Sequence, residues 1–519
     1  MKSLPFAGLL AVVFLLAPLR FAGAAIEMPA IFSDGMVLQR EMPVPVWGRG
    51  LKEGREVVVS LGANLAKAKA GPDGSWKAVL APLGASAEPA VLAIEAGDER
   101  REFKDVLVGE VWLCSGQSNM EWSVDHAADS DLEIAAANRP LLRFFKVDKV
   151  AAPAARWTCD GSWRVSTPAS VEEFSAVGYR FGVTLQEVLG VPVGLIQAAW
   201  GGTPAIAWTR TSALDKHPLL VEGAAEWERE MKVFPEKLAA WEKELAKFRA
   251  ENGLEADATV DSKKFPNAPQ KPRFDPASPH RPGALAAGMM APIAPYAFRG
   301  VIWYQGEADA GWQPDLYDER LAVLFNDWRE WFGNPSMAVG IVQLAAFMNP
   351  KTEPSDDPWP KLRESQRQFV LSDPKAGIVS AIDAGEADDI HPRNKLVIGR
   401  RLARWALADV YGKLSLASGP VPVSARREGP AVLIAFKNQG GGLDSHGSPQ
   451  PGGFTIAGPD GVFHPAKAAI VRGKALVRVE SPQVAEPARV RYAWQNNPVD
   501  ANLVNEQRVP APAFEIEVK

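Results

Sequence analysis

Cysteine is nearly absent from this sequence of 519 residues: there are two, Cys114 and Cys159, beside only six histidines. Two cysteines cannot make a disulfide framework. No cluster of His and Cys has metal-ligand spacing, so no metal site is expected, and no glycine-rich phosphate loop or other cofactor motif is present. Charge of one sign is not in excess either. The 57 basic and 62 acidic residues leave a net charge of -5, with no basic stretch interleaved with aromatics, which argues against a nucleic-acid surface. Beyond the first two dozen residues no run is long and apolar enough to span a bilayer. A hydrophobic content of 47% is ordinary for a soluble globular enzyme, and the length allows more than one core.

The N-terminus carries an export signal. Lys2 supplies a short positive region, Leu4 to Leu19 an apolar core, and Ala22-Gly23-Ala24 a small-residue cleavage site. Residues 1–24 therefore read as a signal peptide, and the mature chain as secreted or periplasmic, with no membrane span. After export Cys114 and Cys159 could pair; Cys114, at the end of an apolar run, reads rather as a buried free thiol.

Three parts follow. Residues 26–105 hold short alternating runs, such as Val44-Pro45-Val46-Trp47 and Val57 to Leu61, separated by turns such as Gly71-Pro72-Asp73-Gly74; they read as a small β-sandwich-like domain. Residues 106–411 alternate strand-like and helical stretches and read as an α/β catalytic core. An insertion at about 215–282 interrupts it. There, Pro235 to Arg249 reads as a charged amphipathic helix with Leu238, Trp241, Leu245 and Phe248 on one face, followed by a Lys/Pro-rich loop. Residues 412–519 are again strand-like with Gly/Pro turns and read as a second β domain.

Within the core, chemistry-bearing residues recur at the ends of strand-like runs. Val111-Trp112-Leu113-Cys114 is followed by Gly116-Gln117-Ser118-Asn119, which places Ser118 on a tight turn at the end of a buried strand. In α/β folds that is where ligands sit, so Ser118 is the candidate nucleophile. An activated serine usually needs a histidine. His126, His217, His280, His446 and His464 read as surface residues in polar, proline-rich or terminal stretches. His391 is different. It follows the run Ala376 to Ile382 and a turn, stands directly after Asp388-Asp389-Ile390, and precedes Pro392, a residue suited to the first position of the next helix. A carboxylate there can orient the imidazole; it can equally cap the helix. Two further strand ends offer oxyanion donors: Gly201-Gly202 after Val193–Gln197, and Gln305 after Gly300–Tyr304. Each segment alone reads as an ordinary turn. Together they make one ordered set.

That set closely resembles the sialate O-acetylesterase family, a branch of the GDSL/SGNH hydrolases and a carbohydrate esterase family. The matching blocks are Ser115-Gly116-Gln117-Ser118-Asn119-Met120, Gly201-Gly202-Thr203-Pro204, Trp303-Tyr304-Gln305-Gly306-Glu307 and Asp389-Ile390-His391-Pro392. Met36 to Arg40 and Arg491-Tyr492-Ala493-Trp494 extend the likeness over nearly the whole mature chain. The resemblance implies an SGNH-hydrolase core, a flavodoxin-like three-layer α/β/α sandwich, flanked by N- and C-terminal β domains. It implies a serine esterase that removes O-acetyl groups from carbohydrates, sialic acids first, through an acyl-enzyme. Ser118 would attack and His391 would shuttle the proton. The general SGNH spacing makes Asp388 the orienting acid, and the sialate esterase pattern makes it Asp389. The Ser118 backbone, Gly201, Gly202 and the Gln305 amide would form the oxyanion hole, and Gln117, Asn119, Trp200 and Glu307 would contact substrate. Ile206 and Asp309 depart from the commonest family wording at positions that would line the pocket. Acetylated xylan or another acetylated glycan is the competing substrate. A non-catalytic glycan-binding protein on the same scaffold is the competing class, against which the intact Ser118, Gln305 and His391 argue. Oligomeric state is not legible.

Overall fold

The structure is a computed structural model that describes residues 25–519 except 262, 263 and 472; the expected signal peptide lies outside the described residues. Its spine is one strand of 18 residues, β1 (Glu99–Gly116). The first half of β1 is largely exposed and pairs antiparallel with Ser86–Ala96, while from Val106 to Gly116 every residue is buried. The expected boundary between residues 105 and 106 thus falls inside a continuous strand. The N-terminal strands, including Val44–Gly48 and Glu56–Leu61, share one apolar core with the catalytic unit.

Six more strands complete the catalytic sheet: β2 (Arg139–Lys146), β3 (Trp163–Ser166), β4 (Val193–Ala199), β5 (Gly300–Tyr304), β6 (Ala338–Gln343) and β7 (Ala376–Ser380). They lie in the order β7-β6-β5-β1-β4-β2-β3. All neighbours are parallel except β3, which closes one edge antiparallel to β2. β4, β5 and β6 are buried at every residue, as near-continuous apolar parallel strands must be when both faces are covered.

The helices that matter are α1 (Ser118–Glu121), α2 (Ala176–Leu189), α3 (Val221–Glu251), α4 (Tyr317–Trp331), α5 (Pro358–Ser372) and α6 (Lys395–Trp405). Sheet register sorts them into two layers. Trp112 pairs with Gly300 and Trp303 pairs with Ser115, so the two indoles point to opposite faces. Trp112 meets Phe181 of α2 at 5.0 Å and Trp405 of α6 at 6.0 Å. Trp303 meets Phe325 and Trp328 of α4 at 5.7 and 6.0 Å, and Phe325 in turn meets Phe369 of α5. The core is therefore helix on sheet on helix.

Two helix starts differ from the sequence reading. α3 begins at Val221 rather than Pro235 and runs for 31 residues through the proline, because the apolar stripe continues upstream through Phe234, Trp227 and Ala224. α6 begins at Lys395 rather than Pro392. The residues between turn instead, with the Arg393 N–H held by the Glu386 carboxylate at 2.8 Å. The C-terminal unit stacks two four-stranded sheets around Val432, Ile434, Ile456, Val477, Val490 and Phe514, and Ile382 of the catalytic unit joins that core. Both cysteines are free, buried thiols, so no bridge forms between them.

Candidate active site

Three neighbouring strands end at one place. β1 leads to Ser118, β4 to Gly201 and β5 to Gln305, and register aligns Ala199 and Tyr304 with Gly116 on either side. The chain crosses from one side of β1 to the other between β4 and β5, so this is the switch point at which open α/β sheets bind ligands. Gly116 makes the turn possible. Its φ is +135° and an added Cβ would lie 2.2 Å from the Tyr304 carbonyl oxygen. The next residue locks the turn: the Gln117 N–H donates to that same carbonyl at 3.0 Å.

His391, 273 residues downstream, brings its Nε2 to 2.9 Å from the Ser118 Oγ. The imidazole stacks on Trp122 at 5.2 Å with an interplanar angle of 17° and is about one-third exposed. Burial lowers its pKa below the ordinary value of 6.5; Asp389 opposes that shift and Lys395 adds to it. Asp389 lies beside the other ring nitrogen, its Oδ1 3.6 Å from Nδ1, beyond hydrogen-bond distance, while it accepts the His391 backbone N–H at 2.8 Å. Asp388 is exposed and makes no side-chain hydrogen bond or ion pair with the described residues. Asp389 therefore faces the imidazole and caps the His391 turn; it does not cap the helix as the alternative reading expected, because α6 starts six residues later, after Asn394.

The expected oxyanion donors are arranged differently from the sequence reading. Gly201 does pack on Ser118, for an added Cβ would come 3.2 Å from the Ser118 Cβ. Its N–H, however, is taken by Glu121 Oε2 at 2.8 Å, and the same carboxylate pairs with Lys149. The backbone N–H groups of Ser118 and Gly202 donate to no described atom. Gln305 is fully buried, and its amide is engaged by the Asp309 carboxylate at 2.7 Å and by Gln117 and the Thr203 carbonyl at 3.2 Å each. Two amide hydrogens already have three acceptors, so Gln305 braces the loops instead of aiming at a reacting oxygen.

Among the expected substrate contacts, Trp200 and Glu307 are partly exposed, and Lys149 lies 5.7 Å from the Trp200 ring. Gln117 and Asn119 are buried at 3% and 1% exposure. Gln117 Oε1 accepts the Ala308 N–H at 3.1 Å, and Asn119 donates to Glu307 and to the Ile390 carbonyl. Glu307 turns its carboxyl inward, and its Oε2 has no partner among the described residues; burial raises its pKa. Asp309 and Ile206 are buried rather than presented to solvent. Asp309 is buried in an ion pair with Arg320 at 3.2 Å, and Ile206 packs with Leu214 and Leu220.

Four neighbours escape the sequence reading. Glu121 and Trp122 follow Ser118 closely and give no signal beyond that proximity. His280, read as a surface residue, bonds through Nε2 to the Gly202 carbonyl at 2.9 Å. Lys395, four residues after His391, is 1% exposed. Its ammonium donates to Asn119 Oδ1 at 2.5 Å and to the Pro392 carbonyl, and burial pushes its pKa down to about 7. Among the described residues no group of His, Cys, Asp and Glu could hold a metal ion, and no helix is long and apolar enough to cross a membrane. A serine hydroxyl, an adjacent imidazole with a lowered pKa and backbone donors without a described partner together suit acyl transfer.

Comparison with known proteins agrees. A family model described as carbohydrate esterase, sialic acid-specific acetylesterase, matches residues 285–408, which include Gln305 and His391. The sialate O-acetylesterase of Rattus norvegicus is 29% identical over 455 residues, 80% of this chain and 79% of its own length. That of Homo sapiens is 27% identical over 442 residues, covering 78% and 75%. Among solved structures, a carbohydrate acetylesterase from Xanthomonas citri superposes with a TM-score of 0.77 at 35% identity, over 95% of this chain and 99% of that one. The chain belongs to the sialate O-acetylesterase family of carbohydrate esterases and is a carboxylic ester hydrolase.

Proposed function

We propose that this chain is a secreted serine esterase that removes O-acetyl groups from carbohydrates, sialic acids first, through an acyl-enzyme on Ser118 in an SGNH-type core. The observation that carries this reading is the 2.9 Å contact between Ser118 Oγ and His391 Nε2 at the switch point of the sheet. Ser118 Oγ attacks the acetyl carbonyl carbon as His391 Nε2 takes its proton. The carbonyl oxygen becomes an alkoxide facing the N–H groups of Ser118 and Gly202. The tetrahedral species collapses, the sugar oxygen leaves with the proton from His391, and the acetyl group stays on Ser118. Water then attacks the acyl-enzyme by the same route and acetate departs. Asp389 balances the imidazolium formed in each half.

The named activity of the sialate esterase relatives supports the sialic acid reading, and the signal-like residues 1–24 support secretion. The Xanthomonas citri protein is called only a carbohydrate acetylesterase, so acetylated xylan is the competing substrate. The test is acetate release from O-acetylated sialic acid and from acetylated xylan by wild type and Ser118→Ala. The reading requires a clear preference for the first substrate and no activity in the variant. Activity surviving in Ser118→Ala, or a preference for xylan, overturns the corresponding half.

A further inference from the structure

The least explained group beside the proposed triad is Lys395. An ammonium at 1% exposure is costly unless charge or hydrogen bonds compensate it. No carboxylate among the described residues bonds to this one directly. Its donors go to the Asn119 side-chain oxygen and the Pro392 carbonyl, and its Nζ lies 5.4 Å from the Trp122 ring centroid and 5.9 Å from that of Tyr304. A buried carboxyl, Glu307, stands one residue removed, joined through Asn119. A methionine would fill such a slot without desolvating a charge, so packing alone does not account for a lysine.

The partners of this ammonium account for it. Asn119 directly follows Ser118, Pro392 directly follows His391, and Trp122 stacks on the His391 ring. One side chain therefore holds the turn of the nucleophile and the turn of the base, which lie 273 residues apart. We propose that Lys395 is a positioning residue: its buried ammonium bolts the His391 turn to the Ser118 turn and sets a positive charge close to the imidazole. This rests on the serine esterase reading above.

The charged groups around His391 are few. Asp389, with Glu386 and Arg393, belongs to its own turn; Asp125 and His126 lie beyond Trp122; Lys395 stands at the start of α6 with Glu307 behind it. Of these, Asp389 favours the imidazolium and Lys395 opposes it. In mildly acidic solution the amine carries its charge, since its own pKa lies at about 7. Removing that charge takes away the smaller of the two influences that lower the His391 pKa, so that pKa rises while burial still holds it down.

The experiment compares Lys395→Met and Lys395→Arg with wild type, measuring kcat and KM for p-nitrophenyl acetate across mildly acidic to neutral pH. Lys395→Met is expected to lower kcat by about tenfold or more with KM within about twofold, and to move the acid limb of kcat/KM up by about half a pH unit or more. Lys395→Arg keeps a cation and is expected to return the acid limb to its wild-type position with a reduced kcat. An unmoved acid limb in Lys395→Met, or a loss confined to KM, overturns the proposal. Should Lys395→Met fail to fold, Lys395→Arg decides: a lowered kcat with an unmoved acid limb supports the bolt, and a wild-type kcat overturns it. Ser118→Ala separates the two readings, because turnover in that variant overturns the esterase mechanism whatever Lys395 does.

Discussion

The Glu121 carboxylate accepts the Gly201 N–H at 2.8 Å, tying the third residue after Ser118 to the glycine pair that packs on it. The bond closes the proposed oxyanion loop from behind and leaves the Gly202 N–H without a partner among the described residues. Hydrogen bonds to charged groups contribute about 1.5–3 kcal/mol. Glu121→Ala should therefore lower kcat for p-nitrophenyl acetate by about tenfold to a hundredfold with little change in KM. Glu121→Gln keeps an acceptor for Gly201 and should recover most of the loss. Equal losses in the two variants would place the effect in the Lys149 ion pair instead.

Asp389 and Asp388 should separate cleanly. The side chain of Asp389 is half exposed, and its contact with Nδ1 is 3.6 Å, so its support of the imidazolium is modest. Asp389→Asn should cost about tenfold or less in kcat/KM, far below the roughly ten-thousandfold loss at a buried triad acid. Asp388→Asn should leave kcat/KM within about twofold, and a larger loss there than at Asp389 would reverse the assignment.

The pH profile follows from the sign of the His391 shift. The base works when neutral, so activity rises as pH climbs through its pKa. Burial lowers that value below 6.5, and the midpoint of the acid limb should lie below 6.5. Asp389 raises the value, so Asp389→Asn should move the midpoint lower still. A kcat/KM titration of both proteins checks the position and the direction.

Gly116→Ala tests the turn itself. With φ at +135° and the Tyr304 oxygen 2.2 Å from the added methyl carbon, β1 and β5 must separate. A loss of about 3 kcal/mol or more is expected, read as a marked fall in Tm together with loss of esterase activity. A variant with the wild-type Tm would mean the turn relaxes without cost.

The thiols provide a check on the core. Cys114 is 0% exposed and Cys159 3%, and burial pushes the pKa of Cys159 up to about 12 and that of Cys114 higher still. Neither should react with a thiol reagent in the native protein, both should react in denaturant, and reduction should not change the mass. A disulfide mass shift would contradict the two buried free thiols.

Much of this protein is legible in its sequence because the signals are local. Uninterrupted apolar runs announce the parallel strands, and the residues that break them mark the strand ends where chemistry gathers; β5 runs from Gly300 to Tyr304 as read. Ser118 and His391 stand out in the sequence because each follows such a run, Ser118 almost directly and His391 after a turn. α3 was read short because a proline is a local stop signal, while the apolar stripe that overrides it is spread over three turns on either side.

What only the tertiary structure decided is which polar groups face which. Gln305, read as an oxyanion donor, is spent on Asp309, Gln117 and Thr203; Gly201 is spent on Glu121; Asn119 and Glu307, read as substrate contacts, are turned inward toward Lys395. Apart from Gln305 and Asp309, four residues apart, these partners are 80 to 276 residues apart in the chain, so no local pattern encodes them. The sequence by itself determined the parallel sheet and the tight turn that carries Ser118, and singled out His391 among the histidines, because burial and backbone freedom act residue by residue. The choice of donors, braces and a buried lysine belonged to the fold, because each polar group settles with whichever partner the packed strands bring within about 3 Å.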